Sequence, residues 1–148
     1  MLSVTKRDDT RVGFCFNKVA RRINNAIYID GLSSLNEKYI SCHEIALKVE
    51  AGIYDGIHTA DIDKLISETT ASMVTRHSDY SLLASRISIS ALHKDTHERF
   101  SDVIRDLRNH TDINSGNYVP CVTKFVYDVV QTNADYFDNL IDYSKDFT

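Results

Sequence analysis

Apolar residues recur along this chain at two spacings, and the change of spacing divides it. Leu2 to Thr5 and Val12 to Phe16 are short β-prone stretches, and Asp8-Asp9-Thr10 between them carries turn chemistry, so the amino end predicts a hairpin. The period then becomes helical. Asn17 can cap a helix with its side-chain oxygen, and Val19, Ile23, Ala26 and Ile27 share one face as far as about Tyr28. Ser41-Cys42-His43-Glu44 has the form of a capping box, followed by the stripe Ile45, Ala46, Val49 and Ile53, which Gly52 loosens. After the turn Gly56-Ile57-His58, Thr59 is a natural N-cap, with Asp61 and Asp63 in the first turn, where the helix dipole favours negative charge. Ile62, Leu65, Ile66, Thr69 and Met73 continue that stripe.

A longer helix over 79–98 turns Tyr80, Leu83, Ala84, Ile87 and Ala91 inward. Its small residues, Ala84, Ser85, Ser88, Ser90 and Ala91, let a neighbouring helix come close. Val103, Ile104 and Leu107 then mark a short amphipathic helix, and Asn114-Ser115-Gly116-Asn117 a polar turn. Pro120 opens a helix carrying Val122, Phe125, Val126, Val129 and Val130, and the tail over 133–148 is aromatic and acidic. The pattern is mainly helical with a small sheet at the amino end, and it separates a sensor-like region, 1–100, from a helical piece, 101–148.

Composition narrows the chemistry. One Pro and five Gly in 148 residues suit a compact domain rather than a linker. The formal net charge of −4 argues against a general nucleic-acid surface. Its distribution is uneven: Lys6, Arg7, Arg11, Lys18, Arg21 and Arg22 face only Asp8 and Asp9 in the first 24 residues, and the remainder is acidic. A positive start on an acidic body suits a small anion better than a long polyanion. Cys15, Cys42 and Cys121 are widely spaced and form no CxxC, so neither a zinc ribbon nor a thioredoxin-type site is written here. Free thiols predict a reducing compartment, and a cytoplasmic location is expected. The sequon-like Asn109-His110-Thr111 is read as chance. No apolar run reaches the ~18 residues of a membrane span, so neither membrane nor nucleic acid is an expected partner.

Catalytic signatures are missing: neither G-x-S-x-G nor the phosphate-loop pattern G-x-x-x-x-G-K-[ST] occurs. His93 and His97 would share a helix face, but no third metal ligand is evident, and no metal site is expected. The acidic pairs Asp61 with Asp63 and Asp135 with Asp138 read as helix-end charges. A triphosphate site needs convergent cations and helix-start amides. Lys6 and Arg7 lie at the hairpin tip and Lys18 in the first turn of the next helix, where a cation is unfavourable unless an anion binds there.

Val4-Thr5-Lys6-Arg7-Asp8 followed by Phe16-Asn17-Lys18-Val19 resembles the opening of the ATP-cone of class I ribonucleotide reductase large subunits. The likeness continues through Gly52-Ile53-Tyr54-Asp55-Gly56-Ile57-His58-Thr59, Asp61-Ile62-Asp63 and His77-Ser78-Asp79-Tyr80. Leu83-Ala84-Ser85-Arg86-Ile87, Leu92-His93-Lys94-Asp95-Thr96 and Phe100-Ser101-Asp102-Val103 extend it, and the segment Ile141 to Phe147 resembles the approach to that family's catalytic barrel. Nearly the whole chain takes part, in order.

The resemblance implies a mainly α fold: a four-helix domain capped by a three-stranded sheet over 1–100, then a helical segment over 101–148 resembling the start of the catalytic region. It implies ATP as activator and dATP as inhibitor, with magnesium as a companion ion and no catalytic cofactor. The family's nucleotide contacts carry over to Lys6, Arg7, Asn17, Lys18, Thr59, Asp63 and Lys94, with the basic residues around the phosphates and Asn17 near the base. Two positions depart from the resemblance: Asp9 stands where many members have Gly, and Val12 where many have Glu. The expected function is an allosteric domain of a ribonucleoside-diphosphate reductase large subunit that controls activity through oligomeric state, with reductase subunits or a second copy as partner. The chain is not expected to be an enzyme by itself, because the barrel and catalytic cysteines are absent. The alternative is a truncated, reductase-like interaction or decoy protein with weakened nucleotide binding. A repressor of the ATP-cone type would need a zinc ribbon, which the cysteine spacing excludes.

Overall fold

The computed structural model describes residues 2–29, 32, 35–36 and 38–147. Thr148, the last residue of the expected tail, lies outside them. Two compact units are present, Met1–Leu92 with Asp146–Thr148, and His93–Lys145.

The first unit holds strands β1 (Ser3–Thr5), β2 (Arg11–Gly13) and β3 (Ile57–His58), and helices α1 (Phe16–Ile27), α2 (Cys42–Glu50), α3 (Thr59–Ser72) and α4 (Asp79–Asp95). The last three residues of α4 group with the second unit. The central strand β1 runs antiparallel to β2, with Val4 opposite Val12, and parallel to β3, with Thr5 beside His58. Two residues are too few for alternation to announce β3, so only the resemblance anticipated a third strand. The hairpin closes as the Lys6 N–H donates to the Thr10 carbonyl at 2.9 Å and the Asp9 N–H to the Lys6 carbonyl at 3.0 Å.

The stripes expected on the helices form the core: Ile23, Ile45, Ile66, Leu83 and Ile87 are all fully buried, with Val4 and Ile57 from the sheet above them. Each such side chain stabilises the fold by roughly 1.5–3 kcal/mol. Half of the expected capping box forms: Ser41 Oγ accepts the Glu44 N–H at 3.2 Å, but the Glu44 carboxylate pairs with Arg76 and Lys48. The small-residue face of α4 does admit a neighbour, because Ser67 Oγ donates to the Ala84 carbonyl at 3.1 Å and lies 2.6 Å from Ser88 Oγ. Buried Arg86 donates to the Ile27 carbonyl at 3.2 Å, supplying a positive partner for the end of α1, whose last turn has no basic residue.

Helices α5 (Phe100–Arg108), α6 (Lys124–Thr132) and α7 (Ala134–Leu140) pack on one another in the second unit. A 3₁₀ helix, Tyr143–Phe147, follows along the chain. The helix expected from Pro120 starts four residues later, because Thr123 is the N-cap and its Oγ1 accepts the Val126 N–H at 3.3 Å. Asp138 is no helix-end charge of α7; it reaches α5, accepting from Ser101 N–H and Ser101 Oγ at 2.8 Å each. Ile104 and Val130 are buried, whereas the rest of the expected apolar face of α6 is more open, with Phe125 76% exposed. Among the described residues no helix is long and apolar enough to cross a membrane.

Candidate functional site

Parallel pairing decides where the hairpin tip goes. Because Thr5 lies beside His58, the chain leaves β1 at the end of the sheet where β3 passes directly into α3. Lys6 and Arg7 therefore emerge beside the amino end of α3. His58, not Thr59, is the N-cap, and it makes no side-chain cap bond, while Thr59 is the first helical residue. The amides of that first turn are unclaimed by a cap, the condition under which a helix start attracts an anion.

Asp63 departs furthest from its expected place. It is the fifth residue of α3, past the first turn, and it is buried. Arg22 Nε donates to Asp63 Oδ1 at 2.8 Å, and Arg7 Nη2 lies 3.6 Å from Asp63 Oδ2. Arg22 Nη1 donates to Ser90 Oγ on α4 at 2.9 Å. The hairpin tip and α1 thus meet α3 at one carboxylate, and Arg22 ties α4 to it through Ser90. Arg22 Nη2 is buried there without a hydrogen-bond partner.

Sequence reasoning overlooked Arg22 and Ser90, although a signal was present. Arg22 stands three residues after Val19 and four before Ala26, on the inward stripe of α1, and Asp63 stands between Ile62 and Ile66 on that of α3. Opposite charges on two inward stripes imply a buried pair, since neither charge is tolerated there alone.

Cys15, not Asn17, is the N-cap of α1, and its side chain makes no cap bond; Asn17 and Lys18 are the second and third helical residues. No acid lies in that first turn, so Lys18 faces the dipole unbalanced. Lys18 precedes Arg22 by four residues and shares its helix face. Lys6 and Lys18 are exposed, and neither is within salt-bridge distance of a carboxylate among the described residues. Arg11, in contrast, is spent on structure: Nη2 lies 3.0 Å from Asp55 Oδ2, and Asp55 Oδ1 accepts from Ser3 N–H and Oγ. These Ser3 bonds, with the Arg11 charge behind them, hold the Asp55 carboxyl below the usual range. At the tip Asp8 is similarly lowered, chiefly by the Thr10 hydroxyl bond. Asp9 takes φ 60°, the left-handed conformation a glycine adopts freely.

Lys94 lies in the last turn of α4 and belongs with the second unit. That unit contains an open cavity of about 390 Å³ lined by His93, Thr96, His97, Glu98 and Tyr143. Among the described residues that line it there is no lysine or arginine, which suits a polyphosphate poorly. His97 Nε2 lies 2.6 Å from Asp106 Oδ2, and the described residues hold no cluster of three metal-ligating side chains.

Residues 2–95 match the family model of the ATP cone domain. The chain is 36% identical over 147 residues to the ribonucleoside-diphosphate reductase large subunit of Danio rerio, which covers 99% of this chain and 18% of that protein. It is 37% identical over 145 residues to the large subunit of Variola virus and 35% identical over 145 residues to the large chain of Schizosaccharomyces pombe, each covering 98% of this chain. These matches span 18% and 17% of the viral and yeast proteins, so the chain corresponds to less than a fifth of the relatives it resembles.

Proposed function

This chain belongs to the ATP-cone family, and from that premise we propose that it is an allosteric module that binds ATP or dATP and regulates a ribonucleoside-diphosphate reductase large subunit. The observation that carries the reading is the meeting of Arg7, Asp63 and Arg22 beside the uncapped start of α3. Lys6 and Arg7 from the tip, Lys18 from α1 and Lys94 from α4 bind the phosphates. Thr59 and Asp63 serve the same ligand from α3, and Asn17 lies toward the base. Magnesium accompanies the triphosphate. Charge-assisted hydrogen bonds contribute roughly 1.5–3 kcal/mol each, so three of them, with the base enclosed, give micromolar affinity.

Such a module regulates by binding its ligands differently in two assemblies, since equal affinity moves no equilibrium. In this reading ATP and dATP favour different associations of the cone with itself or with reductase subunits. Regulation, not catalysis, is the part this chain supplies. Calorimetric titration with each nucleotide tests the assignment: saturable heats are expected, and the double variant K6A/K94A abolishes them while leaving the thermal midpoint nearly unchanged. Full affinity in that variant would put the site elsewhere. A second reading, an interaction protein with weakened nucleotide binding, draws on the negative charge of Asp9 at the tip and on the open apolar face of α6. Absence of heat with both nucleotides favours it.

A further inference from the structure

Helices α6 and α7 each carry two apolar arcs, and their own unit uses one. On α6, Val130 is buried with Tyr127 and Gln131 half-buried beside it, and Gln131 Nε2 donates to the Ser101 carbonyl of α5 at 2.8 Å. At ~100° per residue, Phe125, Val126 and Val129 lie on the other side of the helix, and all three are exposed. On α7 the Phe137 ring lies 6.3 Å from that of Phe100 on α5, whereas Tyr136 and Leu140, one turn apart, are exposed. A surface helix needs a single apolar stripe to hold its place. A second stripe on two successive helices that pack on each other is the kind of patch that marks a docking surface.

Two further observations bear on what covers it. The family model of the cone ends at residue 95, yet the likeness to reductase large subunits runs on through α5, α6 and α7, covering 98–99% of this chain. Those relatives carry this unit together with more than four-fifths of a large subunit, since the match spans only 17–18% of each. The charges around the patch also discriminate. Lys124 pairs with Asp128 at 2.6 Å, while exposed Asp135 and Asp142 have no ion-pair partner among the described residues. A two-fold pairing of this face with its own copy would bring these carboxylates toward one another, and like charges across an interface are costly.

We propose that the α6–α7 face docks on a reductase large subunit, against an apolar surface with basic groups at its margin that lies outside the first fifth matched by this chain. The contact forms with or without nucleotide. The proposal rests on the reductase partnership in the reading above and names the surface that makes it. The second unit is the constant anchor, and ligand-dependent association is left to the first.

Two arrangements of the full 148-residue chain test this. In one, the chain is mixed with the Danio rerio large subunit lacking its matching first fifth. Analytical ultracentrifugation is expected to show a one-to-one complex, unchanged by ATP or dATP. F125D/L140D sets two charges into the apolar contact and weakens it by at least about tenfold. Both positions are exposed, so this variant keeps the thermal midpoint of the native chain. In the other arrangement, the chain replaces that first fifth in the same subunit, and hydroxyl-radical footprinting reads side-chain oxidation peptide by peptide. Phe125 and Tyr136 are expected to react several-fold more slowly in the hybrid than in the chain alone, while exposed Tyr54 of the first unit reacts alike in both. Equal reactivity of Phe125 and Tyr136 in chain and hybrid overturns the docking, and if the shortened subunit does not fold this arrangement decides alone. Protection of Phe125 that grows with concentration in the chain by itself makes the occupant a second copy, and overturns it too. Docking without nucleotide heats overturns the nucleotide reading alone; nucleotide heats with an unprotected α6 face overturn the docking alone.

Discussion

The two units use similar apolar patterns and reach opposite outcomes. In the first, stripes on α1 to α4 converge until Ile23, Ile45, Ile66, Leu83 and Ile87 are fully buried, and buried charge is matched by Asp63 with Arg22. In the second, α6 and α7 also carry large apolar side chains, yet Phe125, Tyr136 and Leu140 are 76%, 65% and 64% exposed. Periodicity tells which side of a helix wants cover. It does not tell whether this chain supplies the cover. The second unit buries Ile104 and Val130 and adds polar contacts across its helices, with Asp138 and Gln131 both bonded to Ser101.

The largest test of that contrast removes one apolar side chain from each unit. Leu83→Ala opens a cavity under α4 and costs about 2–5 kcal/mol in chemical denaturation. Phe125→Ala, at a mostly exposed site, changes stability by no more than about 0.5 kcal/mol. Comparable losses for the two variants would mean that the α6 face is covered in solution, and the contrast would fail.

The same contrast explains what could be read in advance. The inward stripes of α1 to α4 were legible because a four-helix core enforces a 3.6 period on Val19, Ile23, Ile45, Val49, Ile62, Ile66, Leu83 and Ile87. Strand β3 was not, since two residues have no period, and neither was the start of α6, where Thr123 displaced Pro120 as the deciding signal. At the site, Lys6, Arg7 and Lys18 were selected by charge at a turn and a helix start, both local features. Arg22 and Asp63 needed a cross-helix pairing that no single stretch records, and local reading therefore left Asp63 as a first-turn acid. Thr59 and Asn17 were each misplaced as caps by one or two residues, because His58 and Cys15 hold those positions without side-chain bonds.

A smaller effect separates the units by pH. The carboxyl of Asp138 is lowered, first by the Ser101 N–H bond and then by the Ser101 hydroxyl and nearby arginines, against some desolvation. A carboxyl depressed in the folded state adds stability that is present above its unfolded value, near 4, and lost as pH falls through the lower folded value. The α5–α7 contact therefore loosens on acidification below about pH 4, within the titration range of ordinary carboxylates. Amide exchange at Ser101 reports it directly. In D138N the exchange of that amide is faster at neutral pH, and its protection relative to the intrinsic rate no longer falls on acidification. A native Ser101 amide no better protected, relative to its intrinsic exchange rate, at pH 7 than at pH 3 would show that Asp138 holds nothing.

The smallest effect concerns a backbone demand the two units share. Each contains a turn with positive φ, met in the second unit by Gly116 at 68° and at the hairpin tip of the first by Asp9 at 60°. A side chain in this region costs about 1–2 kcal/mol, less for Asp than for most residues. Asp9→Gly relieves that strain but gives the unfolded chain more freedom, leaving a net gain of roughly 0.5–1 kcal/mol, or about 2–4 °C in thermal midpoint at the upper end. Gly116→Asp is the reciprocal change. A Cβ there meets nothing within 4 Å, so its cost is conformational alone and should match the gain at the tip. Charge is separated from strain by Asp9→Asn, which keeps the Cβ while removing the negative charge beside Lys6 and Arg7. If the tip binds phosphate, Asn and Gly at position 9 raise triphosphate affinity alike, and only Gly raises the midpoint. An affinity gain confined to Gly would mean that Asp9 acts through the shape of the turn and not through its charge, and that the hairpin, like the second unit's turn, is limited by its backbone.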